Sequence, residues 1–155
     1  MTVTFKRSQG NTRVFGKIDG VVGLTKAGLR QGMFESGHGL IKRANNEIIH
    51  GLKTGRVYVR KVNGRKRRHK SSAPGETHAN MSGAARRSLS FQLRGSRQFE
   101  FGYGVSVGKT APEYVESLEF GNSRMDARPT LQNAIKAEQG NMVGHFEDQI
   151  ERQFK

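Results

Sequence analysis

The apolar positions of the chain fall into two periodicities. Leu24, Leu29, Met33, Leu40, Ile41, Ala44, Ile48 and Leu52 recur at helical spacing. Thr25 offers a side-chain oxygen suited to an N-cap, so the pattern predicts a helix over 24–52. Upstream, short alternating runs at 2–6 and 14–18 predict two strands in an N-terminal arm of residues 1–22, which Gly20 and Gly23 set off from the helix. Gly28, Gly32, Gly37 and Gly39 lie inside the helical stretch, where each costs about 1 kcal/mol relative to alanine. Several glycines on one face predict either close approach of a second backbone or a break near Gly37 and Gly39. Gly51 and Gly55 then close the helix.

Downstream the period shortens to two. Residues 56–60 alternate and run into Asn63-Gly64, a strong hairpin-turn dipeptide. The segment 56–80 therefore reads as a hairpin followed by a loop rich in Ser, Pro, Gly and Asn. Leu89, Phe91 and Leu93 form one apolar row, and Phe99, Phe101, Tyr103, Val105 and Val107 form a second. A three-residue connection, Gly95-Ser96-Arg97, pairs Leu93 with Phe99 and Phe91 with Phe101 and keeps both rows on one face; a two-residue turn would put them on opposite faces. Tyr114, Leu118 and Phe120 suggest a short helix followed by a strand, closing a sheet region of residues 84–121. Arg128-Pro129 opens a last helix over 129–154, with Leu131, Ala134, Ile135, Met142, Phe146, Ile150 and Phe154 as its apolar stripe. The expected architecture is α+β in a single domain of residues 1–155. An antiparallel β-sheet carries a long N-terminal and a C-terminal amphipathic helix on one face, and a basic hairpin projects from the body.

Composition makes the core thin: hydrophobic residues are 34% of the 155, glycine occurs 20 times and tryptophan is absent. Such a core suits a fold that leans on neighbouring subunits or on glycine-permitted tight packing. The absence of cysteine removes disulfides, thiolate zinc sites and cysteine nucleophiles. No apolar run is long enough for a membrane span, and the opening residues do not read as a signal segment, so no membrane partner is expected and a soluble protein is.

Charge is unevenly placed. The formal total is +14, but residues 53–97 hold thirteen basic residues against one acid, Glu76, whereas residues 113–155 hold five basic and eight acidic ones. Arg60, Lys61, Arg65, Lys66, Arg67, Arg68 and Lys70 crowd into the hairpin. Density of that kind repels itself unless a polyanion or an acidic partner neutralises it. With Tyr58 as the one nearby aromatic, a base-stacking platform is not expected, and nucleic-acid contacts would go to phosphates without reading sequence.

A search for chemistry yields no catalytic, cofactor or metal constellation. His38, His50, His69, His78 and His145 show no metal-ligand spacing, and His69 in the basic run and His78 in a loop both read as exposed. The glycine-rich run 102–108 lies in a strand pattern and leads into no helix, unlike a phosphate loop. Glu113, Glu116 and Glu119 read as surface or interface carboxylates, with Glu119 placed to pair with Arg124 or Arg128.

Two separated stretches carry a resemblance. The first is Ser72-Ala73-Pro74-Gly75-Glu76, then Ser82-Gly83, then Arg86-Arg87-Ser88-Leu89; the second is Tyr114-Val115-Glu116-Ser117-Leu118-Glu119-Phe120-Gly121, then Ala127-Arg128-Pro129. In order and spacing they resemble the tail-completion and head–tail joining (neck) proteins of long-tailed bacteriophages, over roughly residues 24–155. That family shows a helix, a basic loop, an APGE turn, a TG-x-L-x-x-S segment, a hairpin, Y-x-x-x-L-E-F-G-T, and A-R-P-F before a final helix. Here Ser82 stands for the usual Thr, Ala85 for Leu, Asn122 for Thr, and Thr130 for Phe. The resemblance implies a non-enzymatic virion protein, assembled in the host cytoplasm, that forms a ring, usually of six subunits, through which genomic DNA passes. Its implied partners are its own copies, adjacent neck, head-stopper or tail-tube proteins, and transiently DNA. Pro74, Gly75, Glu76, Gly83, Tyr114, Glu119, Phe120, Gly121, Arg128 and Pro129 are the implied structural or interface residues. Composition alone points instead to a basic, sequence-nonspecific nucleic-acid-binding protein.

Overall fold

The computed structural model describes residues 12–80, 82–95 and 98–155. In chain order the elements are α1 (Thr12–His50), β1 (Val57–Val62), β2 (Arg65–Lys70), α2 (Ala84–Ser88), β3 (Leu89–Arg94), β4 (Gln98–Tyr103), α3 (Tyr114–Phe120) and α4 (Thr130–Arg152). The fold is α+β, with two two-stranded antiparallel sheets, β1–β2 and β3–β4, and two long helices packed on each other.

Helix α1 begins far earlier than the sequence pattern indicates. The expected strand at 14–18 is helical, and Thr25 lies inside the helix rather than at its cap. Val14, Ile18 and Val22 are β-branched, which reads as strand, yet they are four residues apart and fit a helical stripe equally well. The expected strand at 2–6 lies outside the described residues. No break occurs at Gly37 or Gly39, and the chain leaves the helix after His50, where the Gly51 amide donates to the Glu47 carbonyl.

Those glycines serve close packing instead. Gly28 lies against the backbone of Ile150, Gly32 against Phe146 and Gly39 against the Glu138 side chain, so α4 descends along α1 antiparallel to it. A β-carbon at Gly37 would sit 2.5 Å from the Phe91 ring, which occupies that notch and makes edge contacts with Phe34 and His38. Beyond the notch, Ala44 and Ile48 of α1, Leu89 of β3 and Ala134 of α4 form the buried cluster, flanked by Phe101, Tyr103 and Leu131. We predict that Gly37→Ala destabilises the protein by about 1–3 kcal/mol in urea unfolding, because overpacking outweighs the gain in helix propensity. Gly140→Ala, where nothing lies near the added carbon, gains up to about 1 kcal/mol.

The β3–β4 hairpin adopts the register of a three-residue connection, with Leu93 opposite Phe99 and Phe91 opposite Phe101. Both rows thus share the face turned to α1. Strand β4 stops at Tyr103, although Val105 and Val107 continue the alternation. Gly104 turns the chain there with a φ of 69°, and a side chain at that position would collide with the Ala111 amide 2.6 Å away. The following loop folds back on β3: the Ser106 hydroxyl donates to the Phe91 carbonyl at 2.6 Å and the Ser106 amide donates to Ser90 Oγ at 3.1 Å. Just before β3, residues 84–88, expected within the sheet region, form a single helical turn, α2.

Candidate functional site

The basic stretch forms the hairpin that its turn dipeptide indicates. Asn63 and Gly64 take positive φ values of 51° and 76°, the conformation that a tight two-residue hairpin turn requires. Pairing runs from Val57 opposite Lys70 to Val62 opposite Arg65. Like charges face each other directly at Arg60–Arg67 and Lys61–Lys66, which is destabilising within an antiparallel pair. Among the described residues none of the seven hairpin cations has an ion-pair partner. The strands pack mainly on each other, and Val57 and Val59 are 50% and 63% exposed. A lone two-stranded ribbon is only marginally stable in water. This ribbon therefore presents exposed apolar surface and unneutralised charge together.

One side of the hairpin root faces the body across a cleft of about 320 Å³, with Tyr58 and His69 opposite His78, Tyr114, Leu118 and Arg128. Adjoining the cleft at Ser72 and Arg128 is a polar node that brings together the two motif stretches, through contacts between residues more than fifty positions apart in the chain. The Gly75 amide donates to the Ala127 carbonyl at 2.9 Å, Arg128 Nε donates to the Ser72 carbonyl at 3.2 Å, and Asn133 Nδ2 donates to the Gly75 carbonyl at 3.2 Å. Glu76 accepts from the Thr54 hydroxyl at 2.7 Å and from the amides of Ala73 and Thr54. Those hydrogen bonds, the Thr54 hydroxyl foremost, hold its carboxyl down to about 2. Gly83 and Gly121 both have positive φ, and Gly121 packs against the backbone at Ala127, 2.9 Å from where a β-carbon would lie. Of the remaining motif residues, Pro74, Tyr114 and Phe120 are exposed, Phe120 at 71%. Pro129 immediately precedes α4.

Glu119 does not pair with an arginine. Its carboxylate accepts the amide hydrogens of Thr130 and Leu131 at 2.9 Å each and of Gln132 at 3.2 Å, and so caps the N-terminus of α4. Burial pushes this carboxyl above its ordinary range, and the three amides pull against that shift. Arg128 turns to the Ser72 and Asp126 carbonyls instead, and Arg124 is exposed. His78, expected at the surface, is buried. Its Nδ1 lies 2.7 Å from the Thr130 hydroxyl and 3.5 Å from the Tyr103 hydroxyl. Burial, and secondarily the Lys53 charge, push its pKa down to about 4. His69 is half-buried at the cleft.

Among the described residues no group of histidines and carboxylates could hold a metal ion, and no helix is long and apolar enough to cross a membrane. Through its hydrogen bonds the node acts as a clasp that ties the loop before α2, the end of α3 and the start of α4 together. Comparison of the chain with family models, with curated proteins and with solved structures finds no match.

Proposed function

We propose that the chain is a non-enzymatic structural subunit that assembles into a ring at the neck, or at the head-proximal end of the tail tube, of a long-tailed bacteriophage. In that role it joins head to tail and lets DNA pass. The single observation that carries this reading is the arm: seven cations with no ion-pair partner among the described residues, on a ribbon that packs on little but itself. Such an element wants an acidic or polyanionic surface from outside its own chain. The order of the motif stretches and their convergence on one clasp support the neck-protein reading over a generic basic protein.

A conduit should hold DNA weakly and without regard to sequence. Duplex binding by the purified protein is therefore expected to be sequence-blind and steeply salt-dependent. If every hairpin cation meets a phosphate, log K falls against log salt with a slope of up to about −6. Titrating two unrelated duplexes across a salt series checks this. Tight, sequence-selective binding at physiological salt would overturn the conduit role in favour of a dedicated DNA reader.

A further inference from the structure

We infer that the hairpin arm of one copy docks on the acidic outer edge of α4 in the next, a pairing that rests on the ring reading and gives it an interface. One face of the arm holds Val57, Val59 and Lys61, with Lys70, Arg68 and Lys66 directly across from them. Cations and exposed valines are interleaved there. A phosphate backbone has no use for the valines, so this face suits a protein surface that is itself both acidic and apolar.

Helix α4 offers that surface. Val143, Glu147 and Glu151 follow one another at helical spacing on the side away from α1, with Asp148 beside them and Phe154 just past the helix end. Val143 and Phe154 are 55% and 53% exposed, and the three carboxylates are exposed. Among the described residues Glu147 and Asp148 have no ion-pair partner, while Glu151 meets only Lys155 at 3.6 Å on the helix surface. Six strand residues span about 20 Å, and the edge runs about 14 Å along the helix from Val143 to Arg152 and on to Phe154 past its end.

The occupant must be a second copy because the two surfaces sit at opposite ends of the helix pair. Ile150 packs beside Gly28, whereas the hairpin leaves the far end of α1 after His50. Twenty-two helical residues separate those levels, about 33 Å at 1.5 Å per residue. The arm packs mainly on itself and cannot reach its own acidic edge over that distance. Unlike patches at opposite ends make a head-to-tail contact, the kind that closes into rings.

Sedimentation velocity on the full chain tests this. The wild type is expected to form an assembled species, which Glu147→Lys with Asp148→Lys abolishes and which Lys61→Glu with Lys66→Glu and Arg68→Glu also abolishes. All five positions are exposed, so circular dichroism spectra should keep the wild-type form. Combining the five substitutions in one chain, or mixing the two variants, should restore assembly, since each reversed pole then meets an opposite one. Wild-type assembly that survives the helix substitutions, or reversals that fail to restore it, would overturn this pairing and leave the ring reading standing. A hairpin variant that still assembles but no longer binds heparin would assign the arm to a polyanion and overturn it too. A wild type that stays monomeric at high concentration would overturn both.

Discussion

Replacing Glu119 with alanine is expected to lower the unfolding free energy by about 3 kcal/mol. The carboxylate is buried and accepts three backbone hydrogens at the start of α4. A hydrogen bond to a charged group contributes about 1.5–3 kcal/mol, and a buried donor left without a partner costs about 1–3 kcal/mol. The alanine variant strands the amides of Thr130, Leu131 and Gln132, of which Thr130 is fully buried. It also removes negative charge from a helix N-terminus. The damage spreads because Thr130 holds His78 and α4 lies along α1. Glu119→Gln keeps one acceptor oxygen and should recover part of the loss. Urea unfolding of the two variants beside the wild type measures both, and a change under about 1 kcal/mol for alanine would mean that the cap contributes no more than an exposed one.

Acid is expected to weaken the fold through His78. Unfolded, the imidazole takes up a proton near 6.5; folded, it resists until about 4. Between those values the unfolded chain binds a proton that the folded chain refuses, so stability is fully present above 6.5 and is lost as the pH falls through 4. At 1.36 kcal/mol per pH unit the loss approaches roughly 3 kcal/mol. The cost has a visible origin: the ring is enclosed by Thr130 and Tyr103, with Lys53 adding repulsion. His78→Gln should flatten the pH dependence across this window while lowering stability at neutral pH. Glu76 adds a separate loss at lower pH. Its contribution is present above its ordinary value of 4.5 and disappears as the pH falls through about 2. Chemical unfolding at half-unit pH steps separates the two, and a His78→Gln profile as steep as the wild type's would exclude the histidine as its source.

The parts of this molecule that read directly from sequence are those where one local rule decides. Asn63-Gly64 fixes a tight turn because few other residues adopt those φ values. The β3–β4 register follows from keeping the Leu93 and Phe99 rows on one face. The helical glycines announce close packing, though the rule could not say whether a partner or a break would answer it. Where two rules compete, the sequence misleads. Val14 and Ile18 satisfy strand propensity and helical spacing at once, and the helix prevails. Val105 and Val107 extend a strand pattern that Gly104 ends. The clasp was legible as a pair of motifs and illegible as chemistry. Counting charges assigns Glu119 to an arginine, whereas its partners are three amides that carry no sequence signature. Likewise nothing around His78 in the chain marks it as buried, because Tyr103 and Thr130 come from elements far along the sequence.

Electron microscopy of the purified protein at high concentration, alongside the phage particle proposed to carry it, puts the proposed assembly to its most direct test. A closed ring with an open centre, present in both samples, is the predicted image. Monomers alone in solution, together with particles that show no such ring at the junction of head and tail, would contradict it.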